Sequence, residues 1–364
     1  MAAAAAAAHL LCPAPAASPA KPRQLPTRFR RNHRGKPSRC FSSRASLGPD
    51  GSLAMLGSPR PAPPMRRPYL REHSCLIFPP PRGRRPLAVV KFLGGAFIGA
   101  VPEVTYGYLL ELLAREGFLV VCVPYNVTFD HEAATREVFD RFHACYDALL
   151  ASGLPEAGLS APDIAELPLY SVGHSNGALL QLLVGSYFSE RIPKANAIVT
   201  FNNRPASEAV PYFEQVTEGV SEFKPTPPEN REFCKNSYSV PNTLLVKFSV
   251  DAIDDTDIVE DVLRPRVDSI GGQIKKVILS GTHLTPCIQD VKWQVGSEYT
   301  PADALAQGLK SLPLNETRVL SRTIADWLQP YYKYLIKMGF GAYLDCRCRL
   351  YNAWNPKSKK HDPV

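Results

Sequence analysis

From Cys75 onward, short apolar runs alternate with longer segments whose apolar residues recur every three or four positions. The runs are Cys75–Phe78, Leu87–Leu93, Phe118–Val123, Leu169–Val172, Ala197–Phe201, Leu244–Val250 and Ile274–Leu279. Each is four to seven residues long and rich in Val, Ile, Leu or Phe, a pattern that predicts strands buried on both faces. Between them, Val138, Phe142, Cys145, Tyr146, Leu149 and Leu150 fall on one face of a helix. Tyr106–Leu113 is a shorter helical segment stopped by Gly117, and Ala178–Phe188 is apolar almost all round, which predicts a deeply buried helix. Alternation of this kind predicts an α/β domain over residues 74–338. It would hold a mostly parallel sheet of about seven to eight strands with helices on both faces.

Two stretches break the rhythm. Residues 206–242 combine Pro211, Pro225, Pro227, Pro228 and Pro241 with Tyr212, Phe213, Phe223, Phe233 and Tyr238. Long loops inside a domain are usually functional, and the aromatics mark this one as a lid-like insertion that packs on something. Residues 285–314 form a second insertion. Residues 49–73 are rich in Pro, Gly and Arg and read as a disordered linker, and 339–364 as a C-terminal tail.

Charge divides the chain in two. The formal net charge is +8, yet residues 1–85 hold 16 Lys/Arg and only two acids, Asp50 and Glu72. Of the totals of 42 basic and 34 acidic residues, 26 and 32 then remain in 86–364, so the folded part is net acidic. That excludes the main argument for nucleic-acid binding, which needs basic residues on a folded surface. Residues 1–48 are rich in Ala, Ser, Pro and Arg without Asp or Glu, the composition of an organelle transit peptide. The expectation is a chloroplast address, with the mitochondrion as the alternative. No stretch reaches the length of a spanning helix, which leaves peripheral contact as the only helical membrane mode. Of the nine cysteines, Cys12 and Cys40 lie in the leader, and the remaining seven, an odd number without regular pairing distance, suit free buried thiols in a reducing compartment. Cys346 and Cys348 form a lone C-x-C without a further ligand nearby, so no metal or other cofactor is expected.

The sharpest chemical signal is Gly173-His174-Ser175-Asn176-Gly177, which follows the apolar run Leu169–Val172 and precedes the apolar helix. Strand, G-x-S-x-G and helix in this order describe a nucleophile elbow. In it a strained serine projects from the end of a strand, and flanking glycines remove collisions with neighbouring backbone. A serine hydroxyl needs a base, and in this arrangement acid and histidine follow the serine in the chain. Beyond Ser175 only His283 and His361 remain. His361 lies in the Lys-rich tail, whereas His283 follows the last apolar run. The acid should end the preceding strand, where Asp251 comes first and Asp254 second. Asp255 and Asp257 read as loop or helix-cap carboxylates. Oxyanion donors are expected from the amide of Asn176 and from the glycine-rich turn Gly94-Gly95-Ala96, with Gly95 preferred and Ala96 second. His131 reads as a helix-start residue that could overhang the pocket, and His174 as packing beneath the elbow.

At these residues the chain resembles the α/β-hydrolase superfamily. It is similar, more narrowly, to a plant and cyanobacterial family of that fold whose function is unknown. The residues that carry the narrower likeness are Phe92–Phe97, Pro124-Tyr125 with Thr128–His131, Gly173–Gly177 and Phe201-Asn202-Asn203. The resemblance covers most of 74–338 and implies the fold, a plastid setting and a hydrolase-type site without naming a substrate. Two departures stand out. Leu93-Gly94 replaces the common His-Gly of the oxyanion loop, and a long insertion follows His283 before the closing helix at Glu316–Leu328. That helix carries Val319, Leu320, Thr323, Ile324, Trp327 and Leu328 on its apolar side.

Two functional classes follow. One is a serine hydrolase, of esterase, lipase or thioesterase type, acting on a small-molecule ester or thioester with an acyl or lipid-like part. The other is a non-catalytic binding or scaffold protein in the plastid that keeps the elbow as architecture, because fold does not imply function. Sequence leaves the oligomeric state open. The reach of His283 to Ser175 separates the two classes.

Overall fold

The structure, a computed structural model, describes residues 68–209, 222–287 and 314–337. Eight strands form one sheet: β1 (Leu70–Glu72), β2 (Cys75–Phe78), β3 (Val89–Leu93), β4 (Leu119–Cys122), β5 (Leu169–His174), β6 (Ala195–Val199), β7 (Asn242–Val250) and β8 (Gln273–Thr282). Their spatial order is β1-β2-β4-β3-β5-β6-β7-β8. β1–β2 and β2–β4 pair antiparallel, and every later pair is parallel. This is the α/β-hydrolase fold.

Side-chain alternation divides the core between the two faces of the sheet. On one face Val89, Leu93, Val121, Ile198 and Leu245 pack with helices α2 (His131–Ser152), α3 (Asn176–Tyr187) and α5 (Thr256–Ser269). On the other, Val90, Phe92, Val120, Val172 and Val246 meet α1 (Gly107–Arg115) and α6 (Leu314–Lys337). α3 is buried along nearly its whole length, as its all-round apolar sequence predicts. α2 starts at Asp130, whose Oδ1 accepts the Ala133 N–H at 2.8 Å, a side-chain N-cap. No helix among the described residues is long and apolar enough to cross a membrane.

The face under α2 and α3 carries a polar row. Lys91, Ser171, Asn196 and Thr243 are register partners across β3, β5, β6 and β7. Ser171 donates to Asn196 Oδ1, and Asn196 Nδ2 donates to the Tyr238 hydroxyl at 2.8 Å, which lies 2.9 Å from Thr243 Oγ1. Lys91 is 1% exposed, its ammonium sits 5.5 Å from the centre of the Phe142 ring, and burial pushes its pKa down to about 7.

Three elements depart from the expected pattern. β1 lies inside the stretch 49–73 read as linker; Arg71 and Glu72 are exposed, so the strand shows no apolar run. β8 is not buried on both faces but largely exposed along its length, because it is the edge of the sheet and covers only β7. Helix α4 (Pro227–Ser237) lies within the lid-like insertion 206–242. It starts with a capping box in which the Glu229 carboxylate accepts the Thr226 N–H at 2.8 Å. The leader 1–48, residues 210–221 of the first insertion, 288–313 of the second, and the tail 339–364 with Cys346, Cys348 and His361 lie outside the described residues.

Candidate active site

The end of β5 sets the geometry. Ser175 sits between β5 and α3 at φ 56° and ψ −121°, a conformation costly for a residue with a side chain. Neighbouring backbone over-determines it. The Ser175 N–H donates to Val199 O at 3.0 Å, and Ala178 N–H donates back to Ser175 O at 3.0 Å. A Cβ at Gly177 would fall 2.2 Å from Gly94 O, and one at Gly173 would fall 2.5 Å from Gly177 O. Both flanking positions of the motif therefore admit only glycine.

Three residues far apart in sequence meet at this turn. His283 Nε2 lies 3.0 Å from Ser175 Oγ, and His283 Nδ1 lies 2.8 Å from Asp251 Oδ2. The Asp251 side chain is fully buried, and its other oxygen accepts the Ile253 N–H at 3.1 Å. A carboxylate so placed accepts from Nδ1–H, which leaves Nε2 bare toward the serine hydroxyl. The order Ser175, Asp251, His283 is the one expected from the sequence.

The other acids of the loop have different partners. Asp254 is also fully buried, and its Oδ1 accepts the Thr256 N–H at 3.1 Å and the Thr256 hydroxyl at the start of α5. Burial pushes its pKa up, and the neighbouring Asp251 adds to that direction. Asp255 accepts the Asn203 N–H at 3.2 Å, and Asp257 pairs with Lys247 and Lys276 at 2.5 and 3.0 Å. None of these three is hydrogen-bonded to His283. Asn202 Nδ2 and Arg204 Nη2 donate to Ile253 O and Ala252 O at 2.8 and 2.9 Å. They brace the loop that carries Asp251. The segment Phe201–Asn203 bore the family resemblance, but only the fold shows what it holds.

The glycine-rich turn after β3 faces the same point, since a Cβ at Gly95 would stand 3.2 Å from Ser175 Cβ. Its amide is engaged elsewhere: Gly95 N–H donates to the Tyr106 hydroxyl at 2.6 Å. This departs from the preference for Gly95 as an oxyanion donor, because an N–H aimed at a buried phenol is not aimed at substrate. Ala96, the second choice, is the next amide in the turn. Asn176 opens α3, where the first N–H groups of a helix have no intrahelical partner. Its side chain spans Tyr125, whose hydroxyl donates to Gly94 O at 2.7 Å and lies 3.1 Å from Asn176 Oδ1, and His131 Nε2, to which Asn176 Nδ2 donates at 3.3 Å.

His131 thus starts α2, as expected, and also reaches the site. It is 3% exposed, and burial pushes its pKa down to about 4. Phe223 stacks on it at 4.5 Å between ring centres, and Phe129 stacks on Phe223 at 5.3 Å. Phe97, Ala206 and Ala209 complete this apolar group, and Phe97 comes from the glycine-rich turn itself. The base of the lid-like insertion is tied to this wall: Lys224 N–H donates to Phe129 O, and His131 N–H to Lys224 O, each at 2.7 Å. Nothing in the sequence distinguishes Tyr106 from an ordinary core aromatic, and Tyr125 stood out only through the family likeness of Pro124-Tyr125.

His174 packs beneath the elbow, as expected, and is 1% exposed. Its Nε2 lies 2.9 Å from the backbone oxygen of His283, and its Nδ1 lies 2.7 Å from the Tyr106 hydroxyl. Burial, reinforced by His283, holds its pKa well below the usual histidine range, so the ring is neutral.

Residues 75–330 match a family described as a protein of unknown function (DUF1350). No curated protein matches this sequence. Solved structures similar to it include a sugar hydrolase, YeeB, from Lactococcus lactis, at 13% identity and a TM-score of 0.48 over 73% of this chain and 98% of the other. Another is the esterase domain of a Rhodothermus marinus protein, at 18% identity and a TM-score of 0.38 over 65% of this chain and 90% of that one. A third is TT1662 from Thermus thermophilus, at 18% identity and a TM-score of 0.36, covering 70% of this chain and 99% of the other.

Proposed function

The chain belongs to the DUF1350 family of proteins of unknown function, and on that premise we propose that it is a serine hydrolase acting on an ester or thioester. The observation that carries this reading is the continuous hydrogen-bonded array from Ser175 Oγ through His283 to Asp251, at 3.0 and 2.8 Å. A binding protein has no need of a serine hydroxyl aligned with a histidine that is itself oriented by a buried carboxylate.

In this reading His283 Nε2 takes the Ser175 proton as Oγ attacks the acyl carbon. Asp251 keeps Nδ1 protonated and stabilises the imidazolium that forms. The amides of Asn176 and Ala96 donate to the oxyanion. Collapse of the tetrahedral adduct releases the alcohol or thiol, which takes the proton from His283 Nε2. Water, deprotonated by the same nitrogen, then attacks the acyl-serine, releases the acid and restores the hydroxyl. The apolar group of Phe97, Phe129 and Phe223 beside the turn favours an apolar acyl part over a sugar or a charged one.

The test is labelling with a fluorophosphonate probe, which reacts with activated serines, beside a Ser175→Ala control. The expected result is labelling of the wild type that the variant abolishes, with turnover of p-nitrophenyl esters of graded chain length. A folded wild type that neither labels nor turns over any of them would favour the binding or scaffold reading instead.

A further inference from the structure

Beneath the elbow runs a second chain of hydrogen bonds that the proposed mechanism does not use. Gly95 N–H donates to the Tyr106 hydroxyl at 2.6 Å, that hydroxyl lies 2.7 Å from His174 Nδ1, and His174 Nε2 lies 2.9 Å from the backbone oxygen of His283. Tyr106 and His174 are 0% and 1% exposed. Proton positions follow from the partners. A backbone carbonyl only accepts, so His174 carries its proton on Nε2 and leaves Nδ1 as an acceptor. An amide N–H only donates, so the Tyr106 oxygen accepts from Gly95 and sends its own proton to Nδ1. The chain has one direction, from the glycine-rich turn to the main chain of His283, and the Cys287 thiol is a further hydrogen-bonding neighbour of the Tyr106 hydroxyl.

We propose that Tyr106 and His174 are positioning residues that tie the Gly94–Phe97 turn to the main chain of His283, so that oxyanion donors and general base are held as one unit. The inference rests on the serine-hydrolase reading of the same site. Two loops, after β3 and after β8, meet at Ser175 without sharing a strand pair, because β5, β6 and β7 lie between those strands. The relay passes under the elbow and links them directly. Misplacement of either loop by less than an ångström weakens a transition-state contact while leaving ground-state binding largely intact.

The test uses the full chain with Tyr106→Phe, which removes one oxygen, and His174→Gln, whose amide offers one acceptor and one donor. Wild type and variants are compared by the saturation kinetics of fluorophosphonate labelling and by 15N spectra of imidazole-labelled protein. The relay predicts that Tyr106→Phe slows the maximal labelling rate at least ~10-fold with half-saturation unchanged, whereas His174→Gln retains more of the rate than His174→Ala. It also predicts an Nε2-protonated His174 whose Nδ1 resonance shifts in Tyr106→Phe. Unchanged labelling rates in folded variants, or a His174 protonated on Nδ1, would overturn it. Should the wild type not label at all, the hydrolase reading falls separately, and the imidazole spectra alone decide whether the relay exists.

Discussion

Asp251 and Asp254 are both fully buried, and the partner of each separates them. Asp251 has a histidine N–H, while Asp254 has the start of α5 and, at 3.6 Å, the Lys247 ammonium. Two side chains of the same type in one loop therefore have different partners, the His283 ring in one case and the Thr256 N–H at the start of α5 in the other. Asp251→Asn is expected to lower kcat on an ester substrate by about 10²–10⁴-fold with little change in melting temperature, since the amide disfavours the required histidine tautomer. Asp254→Ala should leave kcat within a few-fold and cost about 1 kcal/mol of stability through the lost hydrogen bonds to Thr256. Steady-state kinetics and thermal melts of the two variants decide this, and the reverse pattern would move the acid role to Asp254. Gly95 shows the same dependence on partners. Sequence spacing places it at the oxyanion turn, yet the Tyr106 hydroxyl takes its amide.

Among the elements, β3 joins two demands in five residues. Its end leads into the glycine-rich turn beside Ser175, and its middle buries Lys91 under α2. The folded pKa of about 7 lies below the ordinary lysine value of 10.5, so between those values the unfolded chain binds the extra proton. Lys91 therefore contributes a stability that rises with pH through that window and is weakest below pH 7. Lys91→Met is expected to stabilise the protein at pH 6 by about 1–3 kcal/mol and to flatten the rise of stability between pH 7 and 10. Urea midpoints at those pH values read both effects. A variant less stable than wild type at pH 6 would show instead that the ammonium has a compensating partner. At the element scale the sequence was a good guide wherever burial is two-sided. All seven apolar runs became strands, and the apolar helix after the elbow became α3. It was a poor guide at the margins, because β1 is short and polar, and α5 carries Val259, Leu263 and Val267 among charged residues with Pro265 inside the helix.

Across the whole domain, histidines buried in the neutral form link stability to acid. His131 and His174 both have pKa values pushed below the ordinary 6.5, His131 to about 4. Such groups stabilise fully above pH 6.5, and the contribution of His131 is lost as pH falls from there to about 4, where the folded state too takes the proton. Each group adds up to ~1.4 kcal/mol per pH unit to the slope within its window. The urea midpoint should therefore fall between pH 7 and pH 5, and less steeply in His131→Asn than in wild type. Equal slopes in the two proteins would mean that His131 is already protonated in the folded state at pH 5.

The composition of single segments determined the α/β class, the strand sequence, the elbow serine and the short list of acid and base. Each of these is written in local periodicity, or in residue types whose order along the chain is constrained by the fold. The partners were decided only by tertiary structure. Asp251 rather than Asp254 faces His283, the Gly95 amide points inward, His131 touches the side chain of Asn176, and Tyr106 and His174 join two loops under Ser175. These contacts depend on orientation at ångström scale between residues 11 to 109 positions apart. A hydrogen bond fails when its angle or distance is wrong, whereas apolar burial tolerates both. Hydrophobic pattern is therefore legible in one dimension and hydrogen-bond pairing is not.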